Sequence, residues 1–165
     1  MKAMVFAAGL GTRLRPLTDD RPKALVEVDG VPVLQRVIMN LIRFGFDDVV
    51  INVHHFADKI ERFLERNDNF GIDITVSDER QLLLDTGGGI AAASESLAGD
   101  EPFLVHNVDI LTDLDLGKLY RSHCESGADA TLLTSDRATS RYLLFDRENR
   151  MKGWTNVSTG EVLPS

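Results

Sequence analysis

The chain has 165 residues, of which 43% are hydrophobic and 27% charged, with 26 Asp and Glu against 18 Lys and Arg and a formal net charge of −8. That balance is the composition of an ordinary globular protein, and the length suits a single domain with one substantial core. No apolar run approaches the ~18 residues needed to span a bilayer, and the opening Met-Lys-Ala-Met-Val-Phe-Ala-Ala leads into a strand rather than a cleavable leader, so a cytoplasmic protein without membrane or nucleic-acid partners is expected.

In chain order, residues 2–7 read as a first strand, followed by a long loop. Gly9 and Gly11 let the backbone turn sharply and bring N–H groups up to an anion without side-chain obstruction. Thr12 adds a hydroxyl, and Arg13, Arg15, Arg21 and Lys23 add positive charge. In an acidic chain this local surplus of cations needs an anionic ligand to explain it. A dinucleotide fingerprint would require a third glycine where Leu14 stands, and a P-loop would require Gly-Lys followed by Ser or Thr, which is absent.

Beyond the loop, residues 33–44 set Val33, Val37 and Leu41 beside Leu34, Ile38 and Ile42 on one helical face, which Gly45 terminates. Strands are expected at 48–53, 72–76 and 103–106, with helices at 57–65, 89–97 and 114–124 and a further strand at 130–134. Alternation of strand and helix predicts parallel strands joined by crossovers, hence a three-layer α/β sheet whose ligands bind beyond the carboxyl ends of the strands. Both the first loop and Asp109, which closes the apolar run Phe-Leu-Val-His-Asn-Val-Asp-Ile, fall at that edge. A carboxylate there reads either as a magnesium ligand or as a cap for the next segment, with Thr112, Asp113 and Asp115 as further capping candidates. Leu-Asp-Thr-Gly-Gly-Gly-Ile at 84–90 implies close approach, either of a ligand or of another backbone. Asp78, Glu79 and Arg80 read as a solvated turn that could border a ligand pocket. Cys124, the single cysteine, reads as a free structural thiol, and Trp154 as a packing anchor.

Gly-Leu-Gly-Thr-Arg-Leu-Arg-Pro-Leu-Thr followed by Pro-Lys-Ala-Leu resembles the signature of the sugar-1-phosphate nucleotidylyltransferases. Leu-Asp-Thr-Gly-Gly-Gly-Ile is closest to the bacterial branch of N-acetylmuramate-1-phosphate uridylyltransferases and mannose-1-phosphate guanylyltransferases. The resemblance implies a Rossmann-like fold with a mostly parallel sheet, and transfer of a nucleotidyl group from a nucleoside triphosphate to a sugar 1-phosphate. It implies Arg13 and Lys23 as catalytic cations, residues Ala8, Gly9, Leu10, Gly11 and Thr12 around the phosphates, Thr86 and Gly87 against the base, and Mg²⁺ on Asp109. Many members have Gly before that aspartate, where this chain has Val108.

The likeness fades after about residue 135. Family members continue with sugar-binding segments and a second metal-binding aspartate, whereas residues 141–165 read as a hairpin cut off before its partners. A single nucleotidyltransferase domain over 1–165, short of its C-terminal sugar-binding part, is therefore expected, with the site either truncated or completed by another subunit, which leaves a homo-oligomer open. Two alternatives share the fold: a non-catalytic nucleotide-binding or regulatory subunit, and a choline-phosphate cytidylyltransferase.

Overall fold

A computed structural model describes residues 1–164, and the chain divides into one unit over Met1–Asp129 and a second beginning at Ala130. The first unit runs β1 (Lys2–Phe6), the short strands β2 (Glu27–Val28) and β3 (Val31–Pro32), α1 (Val33–Arg43), β4 (Asp48–Val53), α2 (Ala57–Arg66), β5 (Asp73–Asp78), α3 (Asp85–Ala92), α4 (Ser94–Leu97), β6 (Phe103–Asn107) and α5 (Leu116–Ser126). Four strands form one sheet in the order β5-β4-β1-β6, every neighbouring pair parallel. The chain steps outward from β1 through β4 to β5, then returns to the other side of β1 for β6. That reversal makes the β1/β6 boundary a topological switch point, where the loops leaving two adjacent strands diverge and open a crevice.

Side-chain alternation along the strands sorts the core into two layers. Ala3, Val5, Val49, Ile51 and Val53 face α1, α2 and α5 and are buried with Leu34, Ile38, Leu41, Ile60 and Leu116. Met4 and Val50 face the other way and pack with Ala93 and Leu97 of the α3–α4 side. The three-layer α/β sheet expected from the alternation of elements is thus present. The register keeps Phe6 level with Asn52 on one side and Asn107 on the other, so the strands end together at one edge.

Two elements differ from expectation. The helix predicted at 89–97 starts earlier, at Asp85, and stops at Ala92 before a separate turn at Ser94–Leu97. Glycines at the start of a helix weaken it, but the Leu84 N–H is held at 3.1 Å by the carboxylate of Glu79, five residues earlier, whose burial the polar Asp-Glu-Arg run does not signal. The strand predicted at 130–134 does not form: residues 130–139 join no sheet, and Leu132 and Leu133 are exposed. Apolar residues alone do not make a strand when no neighbouring ladder takes up its backbone groups.

The second unit is a three-stranded antiparallel sheet, β7 (Arg141–Phe145), β8 (Met151–Asn156) and β9 (Glu161–Pro164). The hairpin expected around Glu148 and Asn149 is β7–β8, while β9 is an addition. Asp146 shapes the hairpin turn by accepting from the N–H groups of Glu148 at 3.0 Å and Arg150 at 2.9 Å. Gly153 lies so close to the Leu163 carbonyl of β9 that a side chain there would collide with it.

Candidate active site

The loop after β1 changes character within a few residues. Ala7 and Ala8 are buried, and their N–H groups turn inward to donate to Asn52 Oδ1 at 2.7 and 3.2 Å. Gly9 and Leu10 then emerge into solvent. Among the described residues, the N–H groups of Gly9, Leu10, Gly11 and Thr12 have no partner within the chain. Gly11 is left-handed at φ 65, and an added Cβ would lie 2.9 Å from Thr18 Cγ2, so glycine is required there on two counts. Thr18, itself buried, fixes the turn by donating to the Gly11 carbonyl at 2.9 Å. The result is a row of free donors on a braced backbone, an arrangement chemically able to receive an anion. Ala8, expected to line the phosphates, has its N–H committed to Asn52.

The cations divide into two kinds. Arg15 and Arg21 pair with their neighbours Asp19 at 3.6 Å and Asp20 at 2.9 Å, contacts typical of a solvated surface. Arg13 is exposed and has no ion-pair partner among the described residues. Lys23 sits in a tight turn, Lys23–Leu25, behind the buried Pro22, and its ammonium lies 3.0 Å from Asp109 Oδ2. Gly9 lies beside that ammonium: a Cβ there would stand in ordinary contact, 3.6 Å from Lys23 Nζ.

Asp109 lies two residues past the end of β6, anchored by Val108, which is fully buried and donates its N–H to the Phe6 carbonyl at 3.2 Å. Val108 is thus a core residue. Burial pushes the Asp109 carboxyl upward, but the hydrogen bond and charge of Lys23, with a further contribution from Arg13, outweigh it and hold the group below its ordinary value of 3.8. Capping is done elsewhere: Asp115 accepts from the Lys118 N–H at 2.8 Å at the start of α5, and Thr112 from the Leu114 N–H at 3.1 Å. Lys23 and Asp109 therefore bring the loop after β1 and the loop after β6 together at the switch point.

The second glycine segment splits by function. Gly88 and Gly89 are there for packing: a Cβ would lie 2.9 Å from Leu84 Cβ at the first, and 2.9 Å from Glu79 Oε1 and 3.1 Å from Phe6 Cε1 at the second. Gly87 is exposed and a Cβ there would meet nothing within 4 Å, so packing does not account for it; Thr86 beside it is also exposed.

Glu79 is the residue that sequence reasoning missed. Far from making a solvated turn, it is 2% exposed and joins Asn52, also 2% exposed, in a buried network. Arg80 next to it does face solvent, paired with Glu61, with Asp58 at 3.3 Å and with Asp78 at 3.5 Å. His106 is buried near the end of β6, and burial lowers its pKa from 6.5 against the opposing pull of the Asn107 carbonyl and Asp109. In the second unit the Arg141 guanidinium stacks 5.9 Å over the Trp154 ring, a packing role for both. Cys124 is free and exposed.

Among the described residues no helix is long and apolar enough to cross a membrane. The N-acetylmuramate alpha-1-phosphate uridylyltransferase of Caulobacter vibrioides is 49% identical over 109 residues, 65% of this chain and 45% of that protein. The mannose-1-phosphate guanyltransferase beta-B of Xenopus laevis is 35% identical over 154 residues, 90% of this chain and 42% of that one. The chain thus spans less than half the length of either relative. HddC from Yersinia pseudotuberculosis shares the fold at a TM-score of 0.73 and 23% identity, over 99% of this chain and 72% of that one. The nucleotidyl transferase profile matches residues 2–145, and the chain belongs to that family.

Proposed function

We propose that this chain carries the nucleotide-activating part of a sugar-1-phosphate nucleotidylyltransferase. An oxygen of the sugar 1-phosphate attacks the α-phosphorus of a nucleoside triphosphate, the bond from that phosphorus to the bridging oxygen breaks, and pyrophosphate leaves. The nucleophile is already anionic, so no general base is required. Catalysis consists of aligning two anions that repel each other and of neutralising the charge that develops.

The observation that carries this reading is the 3.0 Å Lys23–Asp109 pair at the switch point, flanked by the free amides of residues 9–12. Those amides and Arg13 hold the β- and γ-phosphates. Lys23 bridges toward the α-phosphate or the incoming sugar phosphate. Thr86 and Gly87 offer an exposed surface without side-chain obstruction for the base. Among the described residues no cluster of three or more acidic, imidazole or thiol side chains stands ready for a metal. A lone, half-exposed carboxylate still suits Mg²⁺, which is commonly bound by one or two carboxylates together with substrate phosphates. Held by Asp109, Mg²⁺ would supply charge neutralisation at the α-phosphate.

Similarity to uridylyl- and guanylyltransferases makes UTP and GTP the first candidates for donor. The test is pyrophosphate release with Mg²⁺ from each nucleoside triphosphate against a panel of sugar 1-phosphates, on this chain and on Asp109→Ala. Release with one pair, lost in the variant, supports the transferase. Silence across the panel with nucleotide binding retained would instead make the chain a nucleotide-binding unit without turnover.

A further inference from the structure

We infer that Glu79, which touches no substrate in this reading, is a positioning residue that sets the phosphate loop and the base-side segment from one buried carboxylate. The inference rests on the nucleotide-binding reading above. Glu79 Oε1 accepts from Asn52 Nδ2 at 2.8 Å, which fixes the orientation of the Asn52 amide. Asn52 Oδ1 is thereby presented to the N–H groups of Ala7 and Ala8, at 2.7 and 3.2 Å. Glu79 Oε2 accepts from the Leu84 N–H at 3.1 Å, immediately before Asp85, Thr86 and Gly87. Its own backbone is tied to the sheet, the N–H donating to the Val53 carbonyl at 2.8 Å and the carbonyl meeting His54 Nδ1 at 2.6 Å.

The chain of hydrogen bonds has a direction. Both groups hydrogen-bonded to the Glu79 carboxylate are donors, so the side chain there accepts at both ends, which an amide of the same length cannot do. Glutamine would place its NH₂ either against the Leu84 N–H or against the Asn52 NH₂. If Asn52 then flipped to relieve the second conflict, its own NH₂ would face the Ala7 and Ala8 N–H groups. Every arrangement leaves a buried donor against a donor. Gly89 belongs to the same device, because a Cβ there would stand 2.9 Å from Glu79 Oε1 and 3.2 Å from Asn52 Nδ2. With Ala7 and Ala8 turned inward by this bracket, the backbone emerges at Gly9 with its next donors free.

The directionality supplies its own test. Glu79→Gln breaks the chain, whereas Asn52→Asp combined with Glu79→Gln rebuilds it with the same charge. In the double variant the new carboxylate at position 52 accepts from Ala7 and Ala8. The new amide at position 79 donates its NH₂ to that carboxylate and accepts from the Leu84 N–H through its oxygen. The probes are the nucleoside triphosphate bound best by the unmodified chain and inorganic tripolyphosphate, both with Mg²⁺, titrated well below the melting temperature of each variant. Glu79→Gln is expected to weaken both about tenfold, the scale of one buried donor left without its acceptor, although the residue is too buried to meet either ligand. The double variant is expected to return both affinities to within about threefold of the original. A folded Glu79→Gln with unchanged affinities, or a double variant that stays weak, would overturn the inference. If Glu79→Gln does not fold, Gly89→Ala displaces the same carboxylate and is expected to weaken both ligands less; unchanged binding in that folded variant would overturn it equally. An unmodified chain that binds neither ligand would overturn the nucleotide-binding reading, and this inference with it.

Discussion

At Gly11 the backbone is left-handed and a Cβ would press within 2.9 Å of Thr18, whereas at Gly87 the backbone is helical and a Cβ would meet nothing within 4 Å. Both glycines sit in short glycine-containing runs near the carboxyl edge of the same sheet, yet one is demanded by the fold and the other is not. The difference separates two kinds of evidence for function. Around Gly11, conformation serves the ligand indirectly, by aiming free amides outward and leaving room beside Lys23. Around Gly87, no packing contact within the chain explains the missing side chain, and that is where the proposed base contact falls.

Substitutions can break that comparison at graded cost. The largest effect is expected outside both runs, at the charged pair they flank: Lys23→Ala and Asp109→Ala should each lower pyrophosphate release about 10²–10³-fold, the range for removing one preorganised electrostatic contact, with the melting temperature little changed because both groups are partly exposed. Next comes Gly11→Ala, where strain and crowding act together; a stability loss of about 1–3 kcal/mol is expected in denaturant titration, with nucleotide affinity falling alongside. Gly87→Ala should separate the two quantities. Stability is expected to hold or rise by up to about 1 kcal/mol, since alanine is the better helix residue, while nucleotide affinity drops. Unchanged affinity in Gly87→Ala would remove the base from this segment.

The smallest effect concerns His106. Its pKa lies below the unfolded value of 6.5 because burial disfavours the charged ring. A group depressed in the fold is protonated first in the unfolded chain, so its stabilising contribution is complete above 6.5 and is lost as pH falls below that value. Melting temperature should therefore decline as pH drops below 6.5, and His106→Gln should flatten that part of the profile.

The two units show how far the sequence could be read. Strands β1 and β4 were legible as short apolar runs, buried on both faces of the sheet, and helix α1 from the helical period of its buried face. Residues 130–134 carry a comparable apolar pattern, but a strand also needs a neighbour, and residues 130–139 join no sheet. In the second unit Leu143, Phe145, Val162 and Leu163 are exposed, so side-chain pattern there does not report burial. Lys23, Arg13 and Asp109 were legible from their motifs, and Lys23 and Asp109 do meet. Glu79 was not, because between Asp78 and Arg80 it looks like part of a polar turn, while its burial is decided by Asn52, 27 residues earlier. The one available signal was Asn52 itself, a lone amide in the apolar run Val-Val-Ile-Asn-Val, which had to find buried partners.

The most direct test of the account follows backbone amides of the isotope-labelled chain by nuclear magnetic resonance while a nucleoside triphosphate and Mg²⁺ are added. The amides of Gly9, Leu10, Gly11 and Thr12 are expected to shift as they take up phosphate oxygens, while those of Ala7 and Ala8, already bonded to Asn52, change little. Saturating nucleotide that leaves residues 9–12 unmoved, or that shifts only amides away from the β1/β6 boundary, would contradict it.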